Sequence, residues 1–369
     1  MILVSMAGRR LTSSRDRDPV PQSPADLTPA LLTDILQSPH PGCRITGRRW
    51  TPIVGERGIA GNMFRIHLDG VESSPSSLIL KLPPADPGAR AQLAAMGLFE
   101  REVAFYQTLR DRTPVHTARC YLAQFNPDTG DAALLLEDLG RARNGSTVAG
   151  STVQEVTVQL VALARMHAYW WESPEFGGQA WTRLPSMLAP EAAYEVFERA
   201  WPSFLRRLSI PVDEIITDMR DWIGRTLHEA STTLFETGPR TLVHNDVQAD
   251  NLFFPGDPDH PIVFIDWQMA TFARCVVDVA SAIRGSLDPG VRAQTEPALI
   301  RTYHDALVEA GVTNYPIERC LADYELATVL APARLASAVG LHAALAAHPG
   351  AAWDTLFPRL APGPMDHER

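Results

Sequence analysis

The densest group of potentially reactive side chains lies between residues 242 and 268. Asp246 and Asn251 stand five positions apart in a His-x-Asp-x4-Asn pattern, and Asp266 directly follows the apolar run Ile262-Val263-Phe264-Ile265. The apolar runs on either side predict short strands, so these polar groups are expected on loops that a rigid scaffold holds. Catalytic side chains are commonly found in such a setting.

A carboxylate, an amide and a second carboxylate in this order suit the transfer of a phosphoryl group. That reaction needs one carboxylate to orient and deprotonate the attacking hydroxyl, and oxygen ligands for a metal ion. Asp246 suits the first role, and Asn251 and Asp266 suit the second because Mg²⁺ prefers hard oxygen ligands. For an isolated His-x-Asp, an acidic surface loop would be the simpler interpretation. The complete pattern, ending in Asp266-Trp267, favours catalysis.

The same stretch resembles the catalytic loop and metal-binding element of protein kinases. It resembles more closely the H-G-D-x4-N and I-D-[FW]-[QE] motifs of the aminoglycoside phosphotransferase and choline kinase superfamily, with bacterial ecdysteroid-kinase-like phosphotransferases nearest. The resemblance covers roughly residues 45–345. It implies an α+β, protein-kinase-like two-lobed fold: an antiparallel-sheet N-terminal lobe with one long helix, and a mainly helical C-terminal lobe. It also implies ATP and Mg²⁺ as cofactors and a small-molecule alcohol as substrate.

Carried over to this chain, the resemblance gives Asp246 the role of catalytic base and makes Asn251 and Asp266 the metal ligands. His244 would brace the loop, and Asp278 would support it from the start of a helix. A plain helix N-cap is the alternative for Asp278, and it predicts the same local structure.

Asn245 departs from the glycine that is usual between the histidine and the aspartate of the motif. Asparagine tolerates a positive φ better than most residues. The exchange therefore predicts a loop of the same shape, with residue 245 in that conformation.

Lys81 is the only lysine among the 33 Lys and Arg residues of the chain. A single lysine in a chain that otherwise uses arginine indicates a position that needs a compact ammonium. Its presence by chance is the alternative. It ends the apolar run Leu78–Lys81 and resembles the strand lysine that holds the α- and β-phosphates in kinases. In the Glu-x-x-Phe-Tyr segment Glu102 is its expected helical partner, whereas Glu100 would face elsewhere. A solvated helix face is the alternative for Glu102.

Two further segments of the front half resemble nucleotide-binding elements. The loop between residues 55 and 62 contains Gly58, Gly61 and Asn62, and glycines let backbone N–H groups approach phosphates closely. A hairpin turn explains the loop equally well. The run 134–140 resembles the hinge, where the backbone of Glu137 and Leu139 would meet adenine; an edge strand ending in a turn is the alternative.

The elements that must position these groups follow from the hydrophobic pattern. Antiparallel strands are predicted in the front half, and helices with a few short strands in the back half. The strands are predicted at 44–54, 63–69, 78–82, 119–125 and 132–137, and the short ones at 241–243, 252–254 and 262–265. The helices are predicted at 28–37, 89–112, 153–171, 191–208, 213–235, 290–311 and 317–347. We divide the chain into a disordered leader (1–25), a nucleotide-binding lobe (26–139) and a catalytic and substrate-binding lobe (140–369).

Composition restricts the class of protein. The formal charge of −10 is opposite in sign to what a nucleic-acid partner requires, so none is expected. The sequence contains no run of about 18 apolar residues, so no membrane-spanning helix is predicted. The four cysteines lie far apart without a Cys-x-x-Cys pair, which suits a reducing, cytoplasmic location. We expect a monomer or a homodimer.

The sequence thus predicts an ATP-dependent phosphotransferase that acts on a hydroxyl of an aminoglycoside-, choline- or steroid-like alcohol. The alternative is a non-catalytic nucleotide-binding pseudokinase or regulatory protein, whose signature would be loss of the lysine, the base or the metal aspartate. Lys81, Asp246, Asn251 and Asp266 are all present. The pattern does not choose the acceptor, although the many Ala, Leu and Trp residues lean towards apolar walls.

Overall fold

The computed structural model describes residues 19–53, 61–71, 74–178, 180–182, 184, 189–210, 214–341 and 351–360. Most of the predicted leader (1–25) and the loop glycine Gly58 lie outside the described residues. At the end of the leader, Pro24–Asp26 forms a single 3₁₀ turn that reaches the first residue of the next lobe. The first helix, α1 (Pro29–Gln37), is confirmed, and the Thr28 side chain caps it by accepting a hydrogen bond from the Leu31 N–H at 3.2 Å.

A five-stranded antiparallel sheet forms the front of the molecule, with strand order β1-β2-β3-β5-β4. Its strands are β1 (Ile45–Pro52), β2 (Asn62–Gly70), β3 (Ser77–Leu82), β4 (Cys120–Phe125) and β5 (Ala132–Glu137). These are the five strands that the sequence predicts, with ends shifted by one or two residues. The register sets Lys81 of β3 opposite Met63 of β2 and Leu134 of β5.

Strand periodicity decides which way Lys81 points. Side chains alternate between the two faces of a sheet, and Leu78, Leu80 and Leu82 are buried on one face. That face packs against α1 and forms the smaller of the two hydrophobic clusters. Ile79 and Lys81 therefore lie on the other face, towards the back of the molecule.

The predicted long helix over residues 89–112 is wrong in one respect: it is two helices, α2 (Pro87–Ala95) and α3 (Leu98–Thr108). Gly97 separates them with a φ of +68°, a conformation that glycine adopts at little cost. The Gly97 N–H donates to the Ala94 carbonyl at 2.8 Å, which ends α2. The second helix can then take its own direction, and it carries Glu102.

The back of the molecule is mainly helical, as predicted. Its helices are α4 (Val153–Tyr169), α5 (Pro190–Leu205), α6 (Glu214–Glu236), α7 (Val276–Ser286), α8 (Pro289–Glu309), α9 (Ile317–Ala327), α10 (Leu330–Leu341) and α11 (Ala351–Leu360). The predicted helix over 317–347 is divided into α9 and α10, because Pro332 cannot donate a hydrogen bond back to the Thr328 carbonyl. Among the described residues no helix is long and apolar enough to span a membrane.

Short strands in the back half hold the two loops that carry the polar residues. They are β6 (Arg143–Asn144), β7 (Thr241–Val243), β8 (Leu252–Phe254), β9 (Val263–Phe264) and β10 (Thr271–Ala273). β10 pairs with β7, and β8 lies between β6 and β9. The loop with Asp246 therefore runs from β7 to β8, and Asp266 follows β9. The predicted α+β fold class, an antiparallel sheet with a mainly helical remainder, is confirmed.

Helix α3 packs with the back half rather than with the sheet core alone. Its buried apolar side chains belong to the larger hydrophobic cluster, which also contains side chains from the helices of the back half. Phe105 stacks on Trp267 with 3.8 Å between ring centroids and an interplanar angle of 6°. Because Trp267 is the neighbour of Asp266, this contact fixes the helix that carries Glu102 beside the loop that carries Asp266.

Candidate active site

A cavity of about 640 Å³ lies between the sheet and the back half. It collects most of the residues that the sequence singles out. The predicted residues in its wall are Gly61, Lys81, Glu102, Glu137, Leu139, Asp246, Asn251 and Asp266. Asn62 is not part of the wall, and its amide donates to the Pro83 carbonyl at 3.4 Å.

Lys81 joins the two halves of the site. Its Nζ lies 2.7 Å from Glu102 Oε2 and 2.9 Å from Asp266 Oδ1. The Glu102 side chain is only 2% exposed, while Glu100 on the same helix is exposed. The structure thus pairs Lys81 with Glu102 rather than with Glu100, as the sequence pattern predicts.

Charge compensation keeps this buried lysine protonated. Burial lowers the pKa of Lys81, but the Asp266 and Glu102 carboxylates outweigh it, and the pKa lies above its ordinary value. Burial raises the pKa of Glu102 above its ordinary range, and the Lys81 ammonium partly offsets that rise. The result is a compact positive charge held at the cavity wall between two acids from different parts of the chain.

Asp246 lies half-buried in the cavity wall, where two amides of its own loop fix its carboxylate. Asn251 Nδ2 donates to Asp246 Oδ2 at 3.0 Å, and Gln248 Nε2 donates to Asp246 Oδ1 at 2.9 Å. Desolvation and the nearby Asp266 carboxylate raise the pKa of Asp246 to about 7. A carboxylate with such a pKa accepts a proton more readily at neutral pH than an ordinary aspartate does.

The predicted metal ligands, Asn251 and Asp266, offer the oxygen donors that Mg²⁺ requires. The Asn251 Nδ2 group donates hydrogen bonds to the Asp246 carbonyl and to the Asp246 carboxylate. The other amide atom, Oδ1, is the one that could coordinate a metal ion. Asp266 Oδ1 forms an ion pair with Lys81 Nζ. The φ of +67° at Asp266 turns the chain sharply after β9. Within the described ranges no group of three or more His, Cys, Asp and Glu side chains could hold a metal. Mg²⁺ in phosphate-binding sites is commonly held by one or two protein side chains, and phosphate oxygens and waters complete its coordination.

Asp278 supports the loop from the first turn of α7 and is fully buried. Its carboxylate accepts the His244 N–H at 2.8 Å and the Asn245 N–H at 2.7 Å. It also lies 3.3 Å from His167 Nε2. Asp278 thus bonds the backbone of the loop between β7 and β8, and it is not the N-cap of α7, a position that Cys275 occupies.

His244 connects the two loops of the site. Its Nε2 lies 3.0 Å from the Ile265 carbonyl, directly before Asp266. Burial lowers the pKa of His244, although the Asp278 charge opposes this effect, so the ring is neutral at neutral pH. A neutral ring that donates to the carbonyl fixes the distance between the Asp246 loop and the Asp266 loop.

Asn245 adopts a φ of +66°, as the exchange from glycine predicts. Its side chain makes two contacts that glycine could not make. Nδ2 donates to the Met269 carbonyl at 3.1 Å, and Oδ1 accepts a hydrogen bond from Arg334 Nη1 at 2.6 Å. The sequence pattern did not single out Arg334, which lies on α10, 89 positions away.

The hinge segment contains a second pair that the sequence pattern missed. The Asp138 carboxylate accepts hydrogen bonds from Arg65 Nε at 2.7 Å and from Arg65 Nη2 at 3.2 Å. It also accepts one from Ser77 Oγ at 2.7 Å. Burial raises the pKa of Asp138, but these partners outweigh it and the pKa lies below its ordinary value. Because Asp138 stands between Glu137 and Leu139, the pair fixes the backbone that the resemblance assigns to adenine.

Gly61 is required by a close approach of two segments. A Cβ at this position would lie 2.7 Å from the Leu82 carbonyl, closer than a real Cβ contact. Gly61, directly before β2, therefore lies against the backbone at the end of β3, one residue from Lys81. This places the end of the glycine loop beside the lysine.

Solved structures share this fold, and two of them illustrate the likeness. The chain is similar to an ethanolamine kinase from Plasmodium vivax, at 11% sequence identity and a TM-score of 0.52, with 85% of this chain and 82% of that chain covered. It is also similar to the GDP complex of wild-type aminoglycoside 2'-phosphotransferase-IIIa, at 12% identity and a TM-score of 0.51, with 90% and 98% covered. At such identities the likeness shows the fold alone.

Sequence comparison reaches the family level. No curated protein matches the chain. The model of the ecdysteroid kinase-like family matches residues 56–312, a range that includes Lys81, Glu102 and both loops of the site. Because this range is more than half of the chain, the chain belongs to the ecdysteroid kinase-like family.

Proposed function

We propose that this protein transfers the γ-phosphoryl group of ATP to a hydroxyl group of a small molecule. The observation that carries the proposal is the contact of one ammonium, Lys81 Nζ, with Glu102 at 2.7 Å and Asp266 at 2.9 Å in the wall that Asp246 also lines. Phosphoryl transfer depends on positioning and charge compensation rather than on covalent partners, and this arrangement supplies both. Family membership and the shared fold support the same class of reaction.

At the hinge end, the backbone of Glu137 and Leu139 would bind adenine. Apolar side chains of the sheet and the back half line the same cavity, including Ile79, Phe253 and Ile265. Lys81 would hold the phosphates, helped by backbone N–H groups near Gly61. Asn251 and Asp266 would bind Mg²⁺, which offsets negative charge on the phosphates.

At the other end, Asp246 would act on the acceptor. Its carboxylate would accept a hydrogen bond from the acceptor hydroxyl and take its proton as the oxygen attacks the γ-phosphorus. The bond from that phosphorus to the bridging oxygen breaks, and ADP leaves with the electron pair. Asn251 and Gln248 keep the carboxylate in one orientation, which leaves the base in position before the acceptor arrives.

Nucleotide binding is the first test of the proposal. We expect ATP with Mg²⁺ to raise the melting temperature of the full chain by a few degrees or more at saturating nucleotide, because a ligand that binds only the folded state stabilises it. Removal of the metal with EDTA should reduce the shift, since Asn251 and Asp266 would then face the phosphates without a cation. Mg²⁺ alone and EDTA alone are the controls. No shift with any nucleoside triphosphate would contradict the proposed function.

A further inference from the structure

The cavity extends beyond Asp246, away from the hinge. There its wall comes from α10, α11, the middle and end of α7 (Ser281 and Gly285) and the segment that follows β6. The aliphatic side chains from α10 and α11 in this wall are Ala331, Leu335, Ala338, Val339, Leu356 and Leu360. With the nucleotide at the hinge end, this part of the cavity remains for the acceptor. We call it the acceptor end.

The charged groups at the acceptor end are few. Among the described residues that line it, they are Asp246, Asp250 and Arg334. Asp246 is the proposed base, and Asp250 Oδ1 already accepts the Thr147 N–H at 3.1 Å. No further carboxylate in this described part of the wall faces a substrate cation. Arg334 is therefore the one positive charge among the described residues at this end, where it lies in the same wall as the Asp246 and Asp250 carboxylates.

Arg334 is held firmly at this position. Its Nη1 donates to Asn245 Oδ1 at 2.6 Å and to the Asn245 carbonyl at 3.3 Å, and its guanidinium lies 5.5 Å from the centroid of the Phe235 ring. Nη2 is buried and has no hydrogen-bond partner among the residues that the structure describes. Burial lowers the pKa of Arg334 to about 10, although the Asp246 and Asp278 charges oppose this effect, so the guanidinium is charged at neutral pH.

The partner of Arg334 is the residue at which the chain departs from the usual loop motif. A glycine at position 245 would have no carboxamide to accept the Nη1 hydrogen bond. The asparagine and the arginine together place an incompletely paired cation beside the catalytic loop. Burial of such a charge in an apolar wall costs folding free energy, because few groups there compensate it. A charge kept at this cost points to a role in binding.

We propose that Arg334 is the specificity-determining residue of the acceptor end, where it excludes cationic acceptors and selects uncharged or anionic alcohols with an apolar body. This inference rests on the proposed function. Two like charges in a site of low polarity repel strongly, so an ammonium near Arg334 is disfavoured. An uncharged hydroxyl meets no such penalty, and a carboxylate is attracted. The apolar wall then binds the remainder of the molecule.

Three probes of equal chain length test the charge preference without knowledge of the acceptor: octan-1-ol, octanoate and octylammonium. Binding to the full chain is measured by isothermal titration calorimetry in the absence of nucleotide. We expect octanoate and octan-1-ol to bind, and octylammonium to bind at least about tenfold more weakly than octanoate. Equal or tighter binding of octylammonium overturns the inference, and so does failure of all three probes to bind.

Variants at two positions assign the preference to Arg334. Arg334→Lys keeps the charge and should keep the preference. Arg334→Met keeps the length of the side chain and removes the charge, so the affinities for octanoate and octylammonium should become similar. Retention of the full preference by the Met variant overturns the assignment. If that variant does not fold, Asn245→Gly, which suits the positive φ and removes the Oδ1 contact, should weaken the preference, and an unchanged preference counts against the inference.

A nucleotide titration of the same samples separates this inference from the proposed function. Normal binding of Mg²⁺ and ATP together with a preference for octylammonium contradicts the role of Arg334 and leaves the phosphotransferase proposal standing. Absence of nucleotide binding contradicts the proposed function. The relative affinities of the three probes still decide whether Arg334 sets the charge preference of the cavity.

Discussion

The Asp246→Asn variant is expected to lose acceptor phosphorylation almost completely while it binds nucleotide as the wild type does. Removal of a general base costs about 100- to 10,000-fold in kcat. An asparagine has the size of the aspartate and can still bond with Asn251 and Gln248, but it cannot take the acceptor proton. The measurement is acceptor-dependent ADP release at saturating ATP and Mg²⁺, together with a nucleotide titration of the same protein.

The melting temperature of the Asp246→Asn variant is a built-in control. The carboxyl has a folded-state pKa raised to about 7, so above its ordinary unfolded pKa the ionised group destabilises the fold. Loss of the charge should therefore leave the melting temperature unchanged or raise it at neutral pH. Activity loss without loss of stability assigns the effect to chemistry. Turnover at the wild-type rate removes Asp246 from the role of base.

Lys81→Met is expected to reduce kcat/KM by about 100-fold or more, the range found when one fixed donor to a developing negative charge is removed. In the wild type, Lys81 Nζ stands between Glu102 and Asp266. Without the ammonium these carboxylates repel each other, and the phosphates lose their cation. Steady-state kinetics with varied ATP measures the change.

Lys81→Arg is the sharper form of this prediction. Apart from Lys81, all Lys and Arg positions of the chain are arginine. A planar guanidinium, however, does not suit the compact site between the two acids. We expect a weaker but clear loss of kcat/KM. Unchanged kinetics in the arginine variant would mean that the single lysine is an accident of composition.

The neighbouring acids of α3 provide a matched control for the Lys81 variants. Glu102→Gln removes the buried partner of Lys81, whereas Glu100→Gln changes an exposed residue two positions earlier on the same helix. We expect the first to reduce kcat/KM and the second to leave it close to the wild-type value. Equal effects of the two variants would contradict the pairing of Lys81 with Glu102.

Local periodicity explains why much of this site could be predicted. Lys81 ends a strand with alternating burial, and Glu102 lies on the inner face of an amphipathic helix, so each side chain has one direction in which to point. The positive φ at Asn245 follows from the residue type at a loop position where glycine is usual. These inferences need only a few neighbouring residues.

Contacts between distant segments explain what could not be predicted. Arg334 meets Asn245 across 89 positions, and Arg65 meets Asp138 across 73. No short pattern marks either arginine, because the approach of their elements is decided by packing of the whole chain. The glycine at position 97 can be read from the sequence, but apolar residues continue at helical spacing on both sides of it. The pattern therefore predicts one helix where the structure has two.

Substrate choice lies in the same unpredictable part of the molecule. The fold is shared with proteins named for ethanolamine and aminoglycosides, and a fold does not determine the acceptor. In this chain the wall beyond Asp246 includes α10 and α11, which the motifs do not cover. In our proposal, these helices and Arg334 select the acceptor, whereas the two loops carry out the reaction.

Acceptor-dependent turnover is the most direct test of the central claim. The full chain is incubated with ATP, Mg²⁺ and a panel of uncharged, anionic and cationic alcohols, with ADP release and the phosphorylated acceptor followed in parallel. We predict ADP formation that requires an acceptor, Mg²⁺ and Asp246, with the phosphoryl group found on an acceptor hydroxyl. Nucleotide binding without acceptor-dependent ADP or phosphorylated product from any class of alcohol would contradict the claim and favour a non-catalytic nucleotide-binding protein.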